Sequence, residues 1–326
     1  MSSRRHILNG IAVALALGPA LVAAPARAEN FPDRPIRIVV PFPAGQGTDL
    51  AVRVLVEQMN KRLPQPIIVD NRPGADAAVG ASLVAKAKPD GYTLVMGTNA
   101  SHAANAAFGG LPYDPVKDFD PIGLFYGGGM VLLASPSSPV QDMQQFLAAA
   151  RAKPGSVNIG VASTTARAVF ALIKEGFGLD IVSIPYKGSA GALTDLLGGH
   201  VSFVVESMTA TVPRIKAGEL RALAISPARV SRQLPNVPTL EQSGATKGSS
   251  LGTWTALFAP KGTPSAVIAV LNKSMNEALQ SVPMQEFLSK VGSDSLTSTP
   301  AEAAAHVQSE VVRWAEIVKK YGVTQD

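Results

Sequence analysis

Residues 36–49 read IRIVVPFPAGQGTD, and this stretch decides how we expect the chain to fold. Its first five residues are apolar and mostly β-branched, which predicts a buried strand. A turn rich in proline and glycine follows at residues 41–47. Beyond the turn, apolar side chains recur at the spacing of one helix face: Val52, Leu55, Val56, Met59 and Leu63. The sequence therefore predicts a strand, a glycine turn and an amphipathic helix in succession.

The predicted turn lies where a helix begins, and this position has an electrostatic consequence. The first amides of a helix have no acceptor within the helix, and the helix dipole places partial positive charge there. Such a terminus suits an anion. Gly45 and Gly47 also fit a plain turn that binds nothing. We interpret the turn as a candidate site for a small carboxylate, with the plain turn as the alternative.

Residues 1–28 have the composition of an export signal. Arg4 and Arg5 precede a weakly apolar core, and residues 26–28 form an Ala-Arg-Ala cleavage site. Because the core is short and interrupted by Gly and Pro, it favours a removable signal over a membrane anchor. The paired arginines also match a twin-arginine signal, so Sec and twin-arginine export both stay open. We predict a periplasmic protein from which the signal is removed after Ala28.

Charge and cysteine content exclude several classes of protein. The 326-residue chain carries 29 Lys and Arg, 24 Asp and Glu, and no Cys. Three of the arginines lie in residues 1–28, so the rest is close to neutral and suggests no nucleic-acid partner. The lack of Cys excludes a thiolate nucleophile, a thiolate metal site and an iron–sulfur cluster.

As a separate expectation, we predict that the protein is a monomer.

Strand and helix patterns alternate along the chain, which predicts an α/β fold of two lobes. Residues 127–129 are three glycines between apolar segments at residues 122–125 and 130–134, and we interpret them as the passage into a second lobe. Residues 256–259 are the expected return strand. We predict a clamshell made of lobe 1, residues 29–126 and 252–326, and lobe 2, residues 127–251.

Three segments carry the signals of a helix start. Ser138-Pro139-Val140-Gln141 and Thr299-Pro300-Ala301-Glu302 both match the capping box, in which the side chains of the first and fourth residues cap each other's backbone amides. Thr263-Pro264 precedes another helical pattern. We predict that each segment caps the helix that follows it.

Catalytic and cofactor motifs are missing from the sequence. The histidines His6, His102, His200 and His306 lack metal-ligand spacing, and no G-x-S-x-G elbow is present. Gly45-x-Gly47 is only half of a dinucleotide fingerprint, because Leu50 stands where a third glycine is needed. We predict that the protein is not an enzyme and needs no cofactor and no metal.

Ten short motifs are spread over nearly the whole mature chain. They are VVPFPAG with Thr48-Asp49 (39–49), DNRPGA (70–75), PDGYTL (89–94), LPYDPVKDF (111–119), IPYKGS (184–189), TDLLGG (194–199), IKAG (215–218), LPNVPT (234–239), Trp254 and APKGTP (259–264). Together they resemble the motifs of one family, the Bug-type (TctC-type) periplasmic solute receptors of tripartite tricarboxylate transporters. Each motif is short, but their order and joint presence make the resemblance specific.

The resemblance implies a two-lobed type II periplasmic-binding-protein fold with a small carboxylate held between the lobes. It also implies delivery of that ligand to transporter subunits in the membrane. Turns from both lobes are expected to grip the carboxylate, partly through ordered water. The resemblance implies second-lobe contacts at the turn after residues 157–160 and in the region after residues 201–205. The ligand-binding residues that we expect from the turn and from the resemblance are Phe42, Pro43, Ala44, Gly45, Gln46, Gly47, Thr48, Asp49, Asn99, His102, Ser163, Thr164, Arg167, Lys187 and Glu206.

Two residues depart from the pattern common in that family. The turn before the helix at residues 166–174 is about two residues shorter, and Arg167 falls where His is common. Glu206 stands where Asp is frequent. Arg167 near a helix N-terminus opposes the helix dipole, so we expect it to bind a distal carboxylate of the ligand, or else to be a surface residue paired with an acid. Glu206 is alternatively a partner for an ammonium group or for Arg167.

Two other functions stay open from the sequence. A ligand sensor of the same fold that signals to a membrane histidine kinase needs the same pocket but a different partner on its outer surface. An exported enzyme needs a turnover activity that no residues of this sequence suggest. The identity of the carboxylate does not follow from the sequence.

Overall fold

The stretch at residues 36–49 folds as its pattern predicts. The computed structural model describes residues 31–324, so the predicted signal at residues 1–28 lies outside the described residues. Strand β1 (Ile36–Val40) is followed by the glycine turn and then by helix α1 (Gly47–Asn60). The predicted apolar face of α1 is buried at Val52, Leu55 and Met59. The strand–turn–helix prediction is confirmed.

The described residues form further strands and helices that alternate along the chain. The other strands are β2 (Ile67–Asn71), β3 (Thr93–Thr98), β4 (Phe119–Ala134), β5 (Asn158–Val161), β6 (Val182–Pro185), β7 (Phe203–Ser207), β8 (Arg221–Ile225), β9 (Gly252–Pro260) and β10 (Asp294–Ser295). The other helices are α2 (Ala78–Ala85), α3 (Asn105–Phe108) directly after a π-helical turn (Ala100–Ala104), α4 (Met143–Ala152), α5 (Thr164–Phe177), α6 (Ser189–Leu197), α7 (Met208–Lys216), α8 (Ser265–Leu279), α9 (Val282–Lys290) and α10 (Pro300–Tyr321).

The strands build two sheets that share β4. The first sheet has the order β2-β1-β3-β9-β4, with β10 on the first part of β4. Strands β1, β2 and β3 are parallel, and β9 is antiparallel to both of its neighbours. In the second sheet, β4 pairs with β7 and β8, and β5 and β6 continue beyond β7. The chain therefore has the predicted α/β architecture, with β9 inserted between strands that precede it by more than a hundred residues.

Strand β4 passes without interruption from one sheet to the other. Its pairing with β9 ends at Gly129, opposite Gly252, and its pairing with β7 starts at Met130, opposite Ser207. The sequence predicts a strand that enters the second lobe here, with the three glycines near a hinge, and the structure shows one continuous strand through the glycines. The glycines belong inside it because neighbours approach closely: a Cβ atom at Gly129 would lie 2.3 Å from Cγ of Pro227.

Helix α10 brings the end of the chain back against both parts of the molecule. Its Trp314 is fully buried and belongs to the same apolar cluster as Phe258 on β9. Val169 and Leu172 of α5 belong to that cluster too. One continuous core therefore links a helix of the second sheet to the C-terminal helix.

Helix capping follows the sequence at one of the three predicted starts. Thr299 Oγ1 accepts a hydrogen bond from the Glu302 amide, and the Glu302 carboxylate accepts one from the Thr299 amide, so this capping box is confirmed. The box predicted at Ser138 is wrong, because α4 begins only at Met143, where Asp142 accepts from the Gln145 amide. Thr263 is not a cap either, because its hydroxyl donates to the Pro260 carbonyl.

Within residues 31–324, no helix is both long and apolar enough to span a membrane.

Candidate functional site

A cleft of about 580 Å³ lies between the two sheets. The structure brings six of the residues expected from the sequence to its wall: Phe42, Gln46, Gly47, Thr48, Ser163 and Glu206. They come from the turn between β1 and α1, the start of α1, the start of α5 and the end of β7. The cleft is therefore the place where the predicted turns of both sheets face each other.

The start of α1 leaves backbone donors available at the cleft. Gln46 is the N-cap residue, in an extended conformation, and no side chain caps the helix. Gly47 and Thr48 are the first two helical residues, so their amides have no acceptor within the helix. Both residues line the cleft. This helix end can donate to an anion in the cleft.

Asp49 holds this turn in place from behind. Its side chain is 1% exposed and accepts hydrogen bonds from the Gly45 amide at 2.8 Å, Arg53 Nε at 2.9 Å and Asn71 Nδ2 at 2.9 Å. Burial by itself would raise the pKa of Asp49, but these hydrogen bonds outweigh it and lower the pKa below 3.8. Asp49 therefore fixes the turn and does not line the cleft.

The remaining residues of the first turn lie next to the cleft. Pro43, Ala44 and Gly45 are exposed and are not among its lining residues. Gly45 has a φ of +82°, a left-handed conformation that favours glycine. Asn71 also donates to the Phe42 carbonyl at 3.1 Å, so it ties both ends of the turn to β2.

Three more helices begin at the cleft. Ser163 caps α5 by accepting from the Ala166 amide at 3.1 Å. Ser189 begins α6 and Ser207 precedes α7, and neither of these two helices has a side-chain cap. Four helix N-termini, including that of α1, therefore direct partial positive charge toward one cleft.

The charge of the cleft wall comes from one side chain. Among the described residues that line it, there is no Lys, Arg or His, and Glu206 is the single charged residue. Glu206 is 4% exposed, and its Oε1 accepts from the Ser207 amide at 2.7 Å. Within residues 31–324, no group of three or more acidic or histidine side chains is arranged to hold a metal ion.

Two hydrogen bonds connect groups around the cleft. Asn99, which follows β3, donates from Nδ2 to Thr165 Oγ1 at 3.1 Å and so joins the first sheet to the start of α5. Asn99 is buried and does not line the cleft itself. Thr48 Oγ1 lies 3.3 Å from the Tyr126 hydroxyl on β4.

His102 does not lie where the resemblance implies. Its side chain is fully buried, it stacks on Phe258 with ring centroids 3.9 Å apart, and its Nδ1 lies 2.9 Å from Ser101 Oγ. Burial lowers the pKa of His102 to about 3, so the ring is neutral. The structure makes His102 a core residue behind the cleft, because the π-helical turn directs it between aromatic rings.

Arg167, Thr164 and Lys187 are also outside the cleft wall. Arg167 Nε donates to the Thr324 carbonyl at 3.0 Å, and its Nη2 donates to Thr164 Oγ1 at 3.2 Å. Residues three apart share a helix face, and this face of α5 is turned toward the C-terminal segment. Lys187 is exposed in the loop before α6. The structure gives no support to the expected contact between Arg167 and a ligand.

Sequence reasoning missed most of the cleft wall that comes from other elements. The region after residues 201–205 was expected to contact the ligand, although only Glu206 was named there. The start of α6, which follows a strand end, was a further usable signal. The missed residues are Ala51, Tyr126, Met130, Thr165, Ser189, Ser207, Thr209, Ala210, Thr253 and Val291.

Known proteins are similar in sequence to this chain over most of its length. The family model described as "Tripartite tricarboxylate transporter family receptor" matches residues 51–323. "Protein BugT" of Bordetella pertussis is 34% identical over 95% of this chain and 96% of its own.

Two solved structures with ligands named in their descriptions are similar as well. "R. palustris Rpa4515 with adipate" has 31% identity and a TM-score of 0.78, with 90% of this chain and 99% of that chain covered. "MatC (Rpa3494) from Rhodopseudomonas palustris with bound malate" has 33% identity and a TM-score of 0.73, covering 88% and 100%. The chain therefore belongs to the tripartite tricarboxylate transporter receptor family, a family of two-lobed periplasmic solute-binding receptors and not of enzymes.

Proposed function

We propose that this chain is an exported receptor that binds a small carboxylate in the cleft and delivers it to the membrane subunits of a tripartite tricarboxylate-type transporter. The observation that carries the proposal is the convergence of four helix N-termini on a cleft whose lining, among the described residues, has no basic side chain. Backbone amides are the donors that such a wall offers to an anion.

The start of α1 is the best candidate for the carboxylate contact. Its first-turn amides at Gly47 and Thr48 have no partner within the helix, and Asp49 fixes the turn that presents them. A hydrogen bond from such an amide to a charged group contributes about 1.5–3 kcal/mol. Two or three of them give useful affinity without a buried lysine or arginine, so the ligand can still be released to a transporter.

The relatives support the class of ligand. Adipate and malate, which the descriptions of two similar structures name, are both small carboxylates. This chain shares about a third of its residues with each of those proteins over most of its length. Glu206 lies in the cleft wall where Asp is frequent in the family, so the ligand of this chain can differ from both.

We also propose the lobe boundaries expected from the sequence, with lobe 1 at residues 29–126 and 252–326 and lobe 2 at residues 127–251. The change of partner along β4 between Gly129 and Met130 supports a boundary in this region. Ligand contacts from both lobes would then favour closure of the cleft around the carboxylate. Export through residues 1–28 and a monomeric state belong to the same proposal.

A binding screen tests the receptor function directly. The chain without residues 1–28 is mixed with mono- and dicarboxylates, and its unfolding temperature is measured. A ligand at 100 times its Kd stabilises a protein by about 2.7 kcal/mol, which corresponds to roughly 4–5 °C for a chain of this length. Titration calorimetry then gives the Kd of every hit. Failure of all carboxylates to raise the unfolding temperature would overturn the proposed function.

Delivery needs a separate experiment in cells. Uptake of the labelled hit is compared between a strain that lacks the gene and the same strain complemented with it. Restored uptake supports delivery to a transporter, whereas equal uptake in both strains favours the sensor alternative.

A further inference from the structure

Glu206 is an unusual residue for a cleft that attracts anions. It lies near the end of β7, opposite Val131 of the strand shared by both sheets. Its side chain is 96% buried and still contributes to the cleft wall. A buried carboxylate is unfavourable unless a positive charge or hydrogen-bond donors stabilise it.

The protein supplies a hydrogen-bond donor to only one of the two oxygens of the Glu206 carboxylate. Oε1 of Glu206 accepts from the Ser207 amide at 2.7 Å, and the start of α7 adds its dipole. Oε2 has no hydrogen-bond partner among residues 31–324, and no Lys, Arg or His within that range forms an ion pair with Glu206. Arg167, which the sequence offers as a partner, is bonded to Thr324 and Thr164 instead.

The unpaired Glu206 carboxylate affects which ligands can bind in the cleft. A dicarboxylate that places one group at the α1 amides would bring its second negative charge toward the buried Glu206 carboxylate, which no cation in the wall offsets. A zwitterion brings its own cation. Its carboxylate meets the helix N-terminus of α1, and its ammonium group meets an acceptor oxygen that the protein leaves open.

We propose that Glu206 binds an ammonium group of the ligand, so that the receptor takes an amino-substituted carboxylate and discriminates against the plain acid of the same skeleton. This inference rests on the proposed function, because it assumes that the cleft binds a carboxylate. It adds the chemical class of the ligand and the residue that selects it.

Matched sets of ligands test the proposal on the wild-type chain. Each set has one carbon skeleton with an amino group, a hydroxyl group or no substituent: alanine, lactate and propionate; aspartate, malate and succinate; phenylalanine, phenyllactate and phenylpropionate. A further pair, γ-aminobutyrate and butyrate, tests an amino group that lies farther from the carboxylate than in the α-amino acids. We expect the amino member of the binding set to have a Kd at least about ten times lower than the unsubstituted member.

Glu206→Gln removes the charge and keeps an oxygen that can accept from the Ser207 amide. The amino ligand should lose about tenfold or more in affinity, whereas the unsubstituted acid should bind equally well or better. Glu286→Gln is the matched control, because Glu286 is an exposed acid on α9 outside the cleft, and it should change neither Kd. The unfolding temperature of the ligand-free variants reports any purely structural effect of position 206.

Three results would contradict either the ammonium proposal or the carboxylate function on which it rests. Equal or tighter binding of the unsubstituted acid by the wild type overturns the ammonium proposal without any variant. An equal loss for both ligands in Glu206→Gln also overturns it, because a structural role acts on both alike. Binding of no acid from any set overturns the proposed carboxylate function itself, and the proposal falls with it.

Discussion

Two carboxylates next to two helix N-termini have opposite relations to the cleft. Asp49 is the third residue of α1, and its charge points away from the cleft to Gly45, Arg53 and Asn71. Glu206 lies directly before the N-cap residue of α7, within the cleft wall. Both acids are buried. The difference shows that the direction of the acid decides whether a helix start receives an anion or opposes one.

The two acids also differ in whether a basic side chain pairs with them. Arg53 pairs with Asp49 at 2.9 Å, whereas no ion pair forms at Glu206 among the described side chains. The α1 turn is therefore a donor surface with its negative charge compensated behind it. The α7 start carries an uncompensated acceptor. Substitutions on each side of the cleft can break or sharpen this contrast.

Removal of Asp49 should have the largest effect. Asp49→Ala leaves the Gly45 amide and the Asn71 side chain without their acceptor, so we expect a loss of about 2–3 kcal/mol in the free energy of unfolding, measured in urea at pH 7. Asp49→Asn, which keeps one acceptor oxygen, is the control and should lose less. A loss below about 0.5 kcal/mol for Asp49→Ala would show that the turn does not depend on this acid.

The contribution of Asp49 should also depend on pH in one direction. Because the folded-state pKa lies below 3.8, ionised Asp49 stabilises the fold fully above the unfolded-state pKa of about 3.9. The stabilisation is lost as the pH falls through the lower folded-state value. The difference in unfolding free energy between the wild type and Asp49→Ala should therefore shrink from pH 7 to pH 3.

Substitution of Gly47 should have the next largest effect, and on affinity alone. Gly47 is the first residue of α1, a position that accepts proline, and a Cβ atom there meets nothing within 4 Å. Gly47→Pro removes the amide donor and should weaken carboxylate binding by about 10- to 100-fold in calorimetry. Gly47→Ala keeps the donor and should stay near the wild-type Kd. Equal Kd values for the two variants would contradict a backbone contact at this residue.

Substitution of Ser163, which caps the start of α5, should have a smaller effect on stability and on Kd. Ser163→Ala removes the cap and should cost about 1 kcal/mol in unfolding free energy, with a change in Kd of less than about threefold. Asp142→Ala removes the equivalent cap of α4, far from the cleft, and should cost a similar amount. A large Kd change in the Ser163 variant alone would assign its hydroxyl to the ligand.

Arg167→Ala should have the smallest effect on binding. Its guanidinium group donates to Thr324 and Thr164 and does not line the cleft. We expect the Kd for mono- and dicarboxylates to change by less than about twofold. A selective loss for a dicarboxylate would restore the role that its position in the sequence favours.

The local part of the site was predictable from the sequence. The strand, the glycine turn and the apolar face at Val52, Leu55 and Met59 follow from a short local pattern of residues. The cleft residues Tyr126 and Thr253 were not predictable, because they come from strands whose pairing connects distant parts of the chain. His102 shows the converse, since the resemblance implies that it binds the ligand, whereas the structure packs it against Phe258 in the core.

The insertion of β9 between β3 and β4 bears on the order in which the molecule folds. The second sheet takes its strands from a nearly continuous segment, Met130 to Ile225, so its contacts close over moderate loops. The first sheet is incomplete until β9 pairs with β3 and β4, and its pair Val95 and Phe258 is separated by more than 160 residues of sequence. Long-range pairing slows folding because a large loop must close first. Because synthesis also proceeds from the N-terminus, the chain should complete its second sheet before β9 is available to insert between β3 and β4.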